Sequence, residues 1–336
     1  MLKRSSLKQI LLERAKKSRE RFYLKTPADQ LPLLVDDTEM PAVDVDNWTD
    51  QLSGMLYQRY PSLKKASDTS FKNYLVSLHN RLAAGTVQRR KQIRADIRAN
   101  VRQLMEKREV FSAGNIPRQA AAMVSPQVKQ ILIGEEHNSQ QVSFAVLDFI
   151  KEIQARDPKR PIIYFTEMLP RDSCVAATLL LMHVSGQDKN YYDIFSWLYH
   201  NGVGIKGLEI EEIWSEADIL LQDAQGQLYP VPLWKSLSGI YLRNTAWLQT
   251  IQNYRKKYPE ALFIIHAGAW HTGYIMPFSL ANAFNPTETF VVHFIASRSA
   301  LLDILSDNQV RAPVLAWKDK NLAHIAGFDV QITTGL

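Results

Sequence analysis

Three apolar runs in this chain each stop at a residue able to carry a proton or a metal. Gln130-Ile131-Leu132-Ile133 leads into Gly134-Glu135-Glu136-His137. Ile162-Ile163-Tyr164-Phe165-Thr166 leads into Glu167. Leu262-Phe263-Ile264-Ile265 leads into His266, and Gly268-Ala269-Trp270-His271 follows directly. Glutamate and histidine are the common side chains of general acid–base catalysis and of divalent-metal ligation. If the runs are parallel strands, their carboxyl ends border the crevice where open α/β sheets bind ligands, and residues distant in sequence meet there.

Each string also has a plainer reading. Gly134 permits a sharp turn off a strand, but Gly134 to His137 also suits a polar loop, with Asn138 or Ser139 capping the next helix. Glu167 is costly to bury unless paired, and Arg171 is near enough in sequence to pair with it. Glu209 is followed by Glu211 and Glu212, a pattern typical of a solvated loop. His266 suits a core histidine better than His271 does, because it falls within the apolar run expected as a strand. His79, His183, His200, His293 and His324 lack comparable context and read as structural or exposed.

The elements that would position these residues fall into two regions. Residues 3–23 read as a basic helix. Residues 26–46 are acidic and interrupted by Pro27, Pro32 and Pro41, a linker pattern. A helix over about 48–57 follows. Phe71, Tyr74, Leu75, Leu78 and Leu82 make one apolar stripe over 67–84, which Gly85 is expected to end. A further helix over 87–109 carries Ile93, Ile97, Val101 and Leu104 on one side. From residue 128 strands alternate with helices: strands at 129–133, 162–166, 205–208, 261–265 and 289–296, helices at 141–156, 172–184, 193–199 and 234–257. A hairpin is expected at 224–227 and an edge strand at 330–334. The fold expected is α/β, a mainly parallel sheet flanked by helices, preceded by a smaller all-helical region. The domains expected are residues 1–120 and 121–336.

Charge divides in the same way. The net charge is +6, yet residues 1–30 alone carry +6 and residues 87–109 carry +5, leaving −5 for everything else. Basic helices point to an anionic surface, and lipid headgroups are the partner expected here rather than nucleic acid. A solvated helix face is the alternative. Cys174 is the only cysteine, so no intrachain disulfide can form. It is expected to sit quietly in a helix of a chain suited to a reducing compartment. No signal-peptide pattern or bilayer-length apolar stretch is present. The location expected is cytoplasmic, or translocated without a cleavable signal, with peripheral membrane attachment as an option. No serine-nucleophile elbow, phosphate-binding loop, dinucleotide fingerprint, His-Glu-x-x-His helix or zinc-type Cys/His spacing occurs.

The motifs in order resemble one superfamily. They are Ile133 to His137, Phe165-Thr166-Glu167-Met168-Leu169, Arg243-Asn244 with Trp247-Leu248, and Gly268 to His271. The superfamily includes the erythromycin esterase-like proteins, ChaN-like haem-binding proteins, the TIKI/TraB metalloproteases and a region of dermonecrotic toxins. The resemblance covers about half the chain. It implies Glu135 and His137 as the first active-site pair, Glu167 as a second carboxylate, His271 as the last imidazole and Arg243 as a pocket residue. Glu136, Asn244 and His266 would contact substrate. It further implies one of three activities. These are water activation by Glu and His, the use of a divalent metal held by Glu135, His137, Glu167 and His271, and haem binding without turnover. The basic helical region is similar in plan to the membrane-localising bundle of the toxins. A non-catalytic, membrane-associated effector domain is therefore the remaining alternative. The expectation carried forward is a hydrolase of a small-molecule or peptide substrate. His137 acts as base, Glu135 or Glu167 orients it, and His271 with Arg243 stabilises the developing anion.

Overall fold

The computed structural model describes residues 68–111, 114–137, 139–171, 173–185, 189–209, 218–223, 225–296 and 314–334. The expected basic helix at 3–23, the linker at 26–46 and the helix at 48–57 lie outside them. So do the charges of residues 1–30.

Helices α1 (Asp68–Ala99), α2 (Val101–Glu106) and α3 (Ile116–Ala122) precede strand β1 (Gln130–Glu135). Then come α4 (Gln140–Arg156), β2 (Ile162–Pro170), α5 (Val175–Ser185), α6 (Lys189–His200) and β3 (Gly204–Glu209). A hairpin of β4 (Asp218–Gln222) and β5 (Leu228–Pro232) leads to α7 (Leu237–Lys257) and β6 (Leu262–Gly268). The short α8 (Ala269–Thr272), β7 (Thr289–Ile295), β8 (Val314–Ala316), α9 (Lys320–Ala326) and β9 (Val330–Thr333) complete the order.

Two compact units form. The larger contains Arg89–Glu209 and Asn244–Leu336, and the smaller contains Asp36–Gln88 and Ile210–Arg243. Among the described residues, the larger unit is built on a seven-stranded sheet of order β3-β2-β6-β1-β7-β9-β8. All of its pairings are parallel except β8 with β9. β1, β3 and β6 are buried at every position, as expected where helices cover both faces of a parallel sheet. One face packs Ile131, Ile133, Tyr164, Ile264 and Val292 against Val146 and Phe149 of α4 and Ile194 and Phe195 of α6. On the other, the Phe165 ring meets Tyr254 of α7 edge-on at 5.4 Å. In the smaller unit the β4–β5 hairpin turns through Gly226 at φ +84°, close to the expected position.

Two local expectations are corrected. Gly85 does not end a helix, because α1 runs unbroken from Asp68 to Ala99. A helical glycine costs only about 1 kcal/mol, and no proline interrupts α1 to add to that cost. The helix instead stops at Asn100, whose side-chain amide donates to the Asp96 carbonyl at 2.7 Å. Likewise residues 330–333 are not an edge strand. β9 lies between β7 and β8, and β8, three residues long, is the edge.

The order places β6, late in sequence, between β2 and β1. The carboxyl ends of three central strands therefore stand side by side: Ile133 pairs with His266, Glu135 with Gly268, and Thr166 with His266. Such close packing needs Gly134. A Cβ there would collide with Thr272 Oγ1 and come within 2.5 Å of the buried His293 ring. Gly134→Ala should therefore destabilise the protein by about 1–3 kcal/mol. Urea unfolding should show a lower midpoint with unchanged slope; an unchanged midpoint would contradict this packing.

Candidate active site

Side chains alternate across a strand. Glu135 thus shares the face of Ile131 and Ile133, toward α6, while Glu167 follows Ile163 and Phe165 toward the opposite face. The β2–β3 register shifts between Thr166 and Pro170, and irregularities of this kind commonly re-aim a side chain at a site. His137, two residues past Glu135, crosses the sheet end and joins the two layers. Its Nδ1 lies 2.9 Å from Glu135 Oε1 and its Nε2 3.1 Å from Glu167 Oε1. Both carboxylates are buried, at 1% and 5% side-chain exposure, whereas the His137 side chain is 43% exposed.

The chain of contacts extends both ways. His266 Nε2 lies 2.8 Å from Glu135 Oε2, close enough for an ion pair but off the axis of a hydrogen bond. His266 Nδ1 meets the Tyr164 hydroxyl. The Tyr191 hydroxyl of α6 donates to Glu135 Oε1. On the other side the backbone N–H of Gly268 donates to Glu167 Oε1, and His271 Nε2 stands 3.6 Å from Glu167 Oε2. His271 Nδ1 lies 2.6 Å from Asn244 Oδ1. Asn244 donates its amide to the Phe278 carbonyl at 2.9 Å, which turns Oδ1 toward the imidazole and so puts the proton on His271 Nδ1. The Trp247 ring lies against His271 with centroids 4.6 Å apart.

The electrostatics follow from this geometry. Burial disfavours charge on both His137 and Glu135. For His137, hydrogen bonds to Glu135 and Glu167 and their negative charges outweigh burial and push its pKa up to about 10. For Glu135, attraction to His266 and hydrogen bonds from His137 and Tyr191 outweigh burial and hold the carboxyl well below its usual range. Burial and the Glu135 charge push the Tyr191 hydroxyl far up, so it remains a donor. At neutral pH the centre of the site is an imidazolium between two carboxylates.

The structure thus gathers Glu135, His137, Glu167, His266, His271 and Asn244. Glu136 turns away, and its Oε2 accepts the Ala296 N–H at 3.0 Å beyond β7. Arg243 falls in the smaller unit, where it is buried and its guanidinium lies 3.5 Å from the Trp234 carbonyl. Tyr191 and Tyr164 were not among the expected residues. Tyr164 had a visible signal, a hydroxyl in the middle of an apolar strand. Tyr191 had none, because only the packing of α6 onto β1 brings it to Glu135.

Among the described residues no three His, Cys, Asp or Glu side chains are grouped as ligands of a metal ion. Glu135, His137, Glu167 and His271 engage one another in pairs. No helix among the described residues is long and apolar enough to cross a membrane. Comparisons with protein-family models, curated proteins and solved structures find no match for this chain.

His137 also links stability to pH. Its folded pKa lies above its ordinary 6.5, so its contribution is fully present below about 6.5 and disappears as pH rises through about 10. His137→Gln should flatten the alkaline fall in melting temperature relative to wild type. Parallel curves for the two proteins up to pH about 10 would contradict the clamp.

Proposed function

We propose that this cluster hydrolyses an ester or amide bond, with His137 as proton donor and His271 as base. The observation that carries the reading is His137 itself, open to solvent yet held as a cation between two buried carboxylates. The base role that the sequence suggested for His137 does not suit that environment, since a base must lack its proton and a pKa near 10 leaves very little of that form at pH 7. His271 suits it better. With Nδ1–H directed to Asn244, the ring lone pair is on Nε2, on the Glu167 side.

In this reading His271 Nε2 takes a proton from water as the water oxygen bonds to the substrate carbonyl carbon. The positive His137 edge stabilises the oxygen that becomes negative. Its proton then passes to the leaving oxygen or nitrogen as the old bond breaks. A proton from solvent then restores His137, and His271 returns its proton to solvent. Glu135 and Glu167 keep His137 charged, and Tyr191 and Gly268 hold those carboxylates in place. The resemblance of the Gly134 to His137 and Gly268 to His271 motifs to erythromycin esterase-like proteins agrees with a water-activating site.

The test is a panel of ester and peptide substrates with pH–rate profiles. His137→Ala and His271→Ala should each lower turnover about 10²–10⁴-fold, the usual contribution of a positioned acid or base. The wild-type rate should fall on an alkaline limb near pH 10. Glu167→Gln removes one negative partner, so it should bring that limb to lower pH. Full activity in both histidine variants, on any substrate the wild type turns over, would refute the proposal.

A further inference from the structure

The α8 turn that carries His271 also borders a second cavity. Ala269, Trp270 and Gly273 line a pocket of about 420 Å³ within the larger unit, inside the size range of small-molecule sites. Its walls are apolar: Ile93 and Ile97 of α1, Ile275, Met276, Ile295 and Phe328. Its rim is cationic. Arg90 and Arg94, one helical turn apart on α1, are exposed and line it. The Arg90 guanidinium sits 4.9 Å over the half-exposed Trp270 ring. Its floor is polar but uncharged. Gln331 and His293 are buried there, and Gln331 Nε2 has no hydrogen-bond partner among the described residues. Burial drives the His293 pKa down to about 4, so it is neutral at pH 7.

We propose that this cavity binds a small amphipathic carboxylate, its anionic head at Arg90 and Arg94 and its apolar chain ending in a neutral hydrogen-bond acceptor for Gln331. A buried donor left without a partner is destabilising, and an acceptor on the ligand satisfies it. A guanidinium stacked on an aromatic face keeps its N–H edge available for bidentate carboxylate contact. A charged group would be costly to desolvate at the buried, uncharged floor, so the orientation is set, with the head at the rim and the chain inward. None of this rests on the hydrolase reading, and binding can be measured without turnover.

The experiment is titration calorimetry on the full chain with four ligands of one length: octanoate, octanol, octyltrimethylammonium, and oxo-octanoate with its ketone beside the terminal methyl. Oxo-octanoate should bind tightest, octanoate next and octanol weakly, with no binding of the ammonium. Each methylene added to shorter carboxylates should tighten binding about fourfold, the equivalent of about 0.8 kcal/mol, until the cavity is full. The exposed double substitution Arg90→Glu with Arg94→Glu should weaken both carboxylates about tenfold or more while sparing octanol. Gln331→Leu should erase the advantage of the ketone and leave octanoate unaffected. Three outcomes would overturn the proposal: no saturable binding of either carboxylate, equal binding of the ammonium, or attachment to anionic vesicles through these arginines without binding of free carboxylate.

Discussion

The candidate site depends on one arrangement, a half-exposed imidazolium bridging two buried carboxylates. Neither Glu135 nor Glu167 could remain charged at its depth without compensation. His137 supplies part of it, and the remaining contacts supply more: Tyr191 and His266 to Glu135, the Gly268 N–H to Glu167. The polar groups thus form a connected set in which each carboxylate has several partners, the condition under which buried charge is tolerated. Loss of any member leaves a neighbour buried and underpaired, so substitutions here act on stability and chemistry together.

The backbone makes this arrangement reachable. With β6 inserted between β2 and β1, residues some 130 positions apart in sequence become neighbours, Ile133 with His266 and Glu135 with Gly268. Gly268 then allows His137 to approach. A Cβ at that position would stand 2.9 Å from His137 Nε2 and 3.3 Å from Glu167 Oε1. The four-residue α8 turn directs its side chains to different surroundings. His271 points toward Asn244 and Trp247, Thr272 toward His293, and Trp270 toward solvent beneath Arg90. One short segment therefore borders both the polar cluster and the apolar pocket.

Much of this was legible in the amino-acid sequence, for identifiable reasons. Strands buried on both faces read as continuous apolar runs, so β1, β2, β6 and β7 were visible, and so was the abrupt change to Glu or His at three of their ends. Ser139 capped α4 as its type suggested, its hydroxyl accepting the Val142 N–H. Less was legible where tertiary contacts decide. The polarity of a strand end does not reveal which strands are neighbours, so the direct contacts of His137 with both carboxylates, and hence its raised pKa, could not be read. Tyr191 resembles any aromatic on an amphipathic helix. Glu136 could not be told from Glu135 by type, and only alternation along β1 turns one inward and the other toward Ala296. Gly85 resembles a helix terminator, yet the chain continues through it.

The most direct test of the account is the protonation state of the imidazoles, read by nitrogen NMR of histidine-labelled protein across a pH titration. The account predicts that His137 keeps protons on both ring nitrogens well above pH 7 and titrates near pH 10. It also predicts that His271 carries a proton on Nδ1, directed to Asn244. A His137 that titrates near the ordinary value of 6.5, or a His271 with its proton on Nε2 alone, would contradict the clamp and the assignment of acid and base built on it.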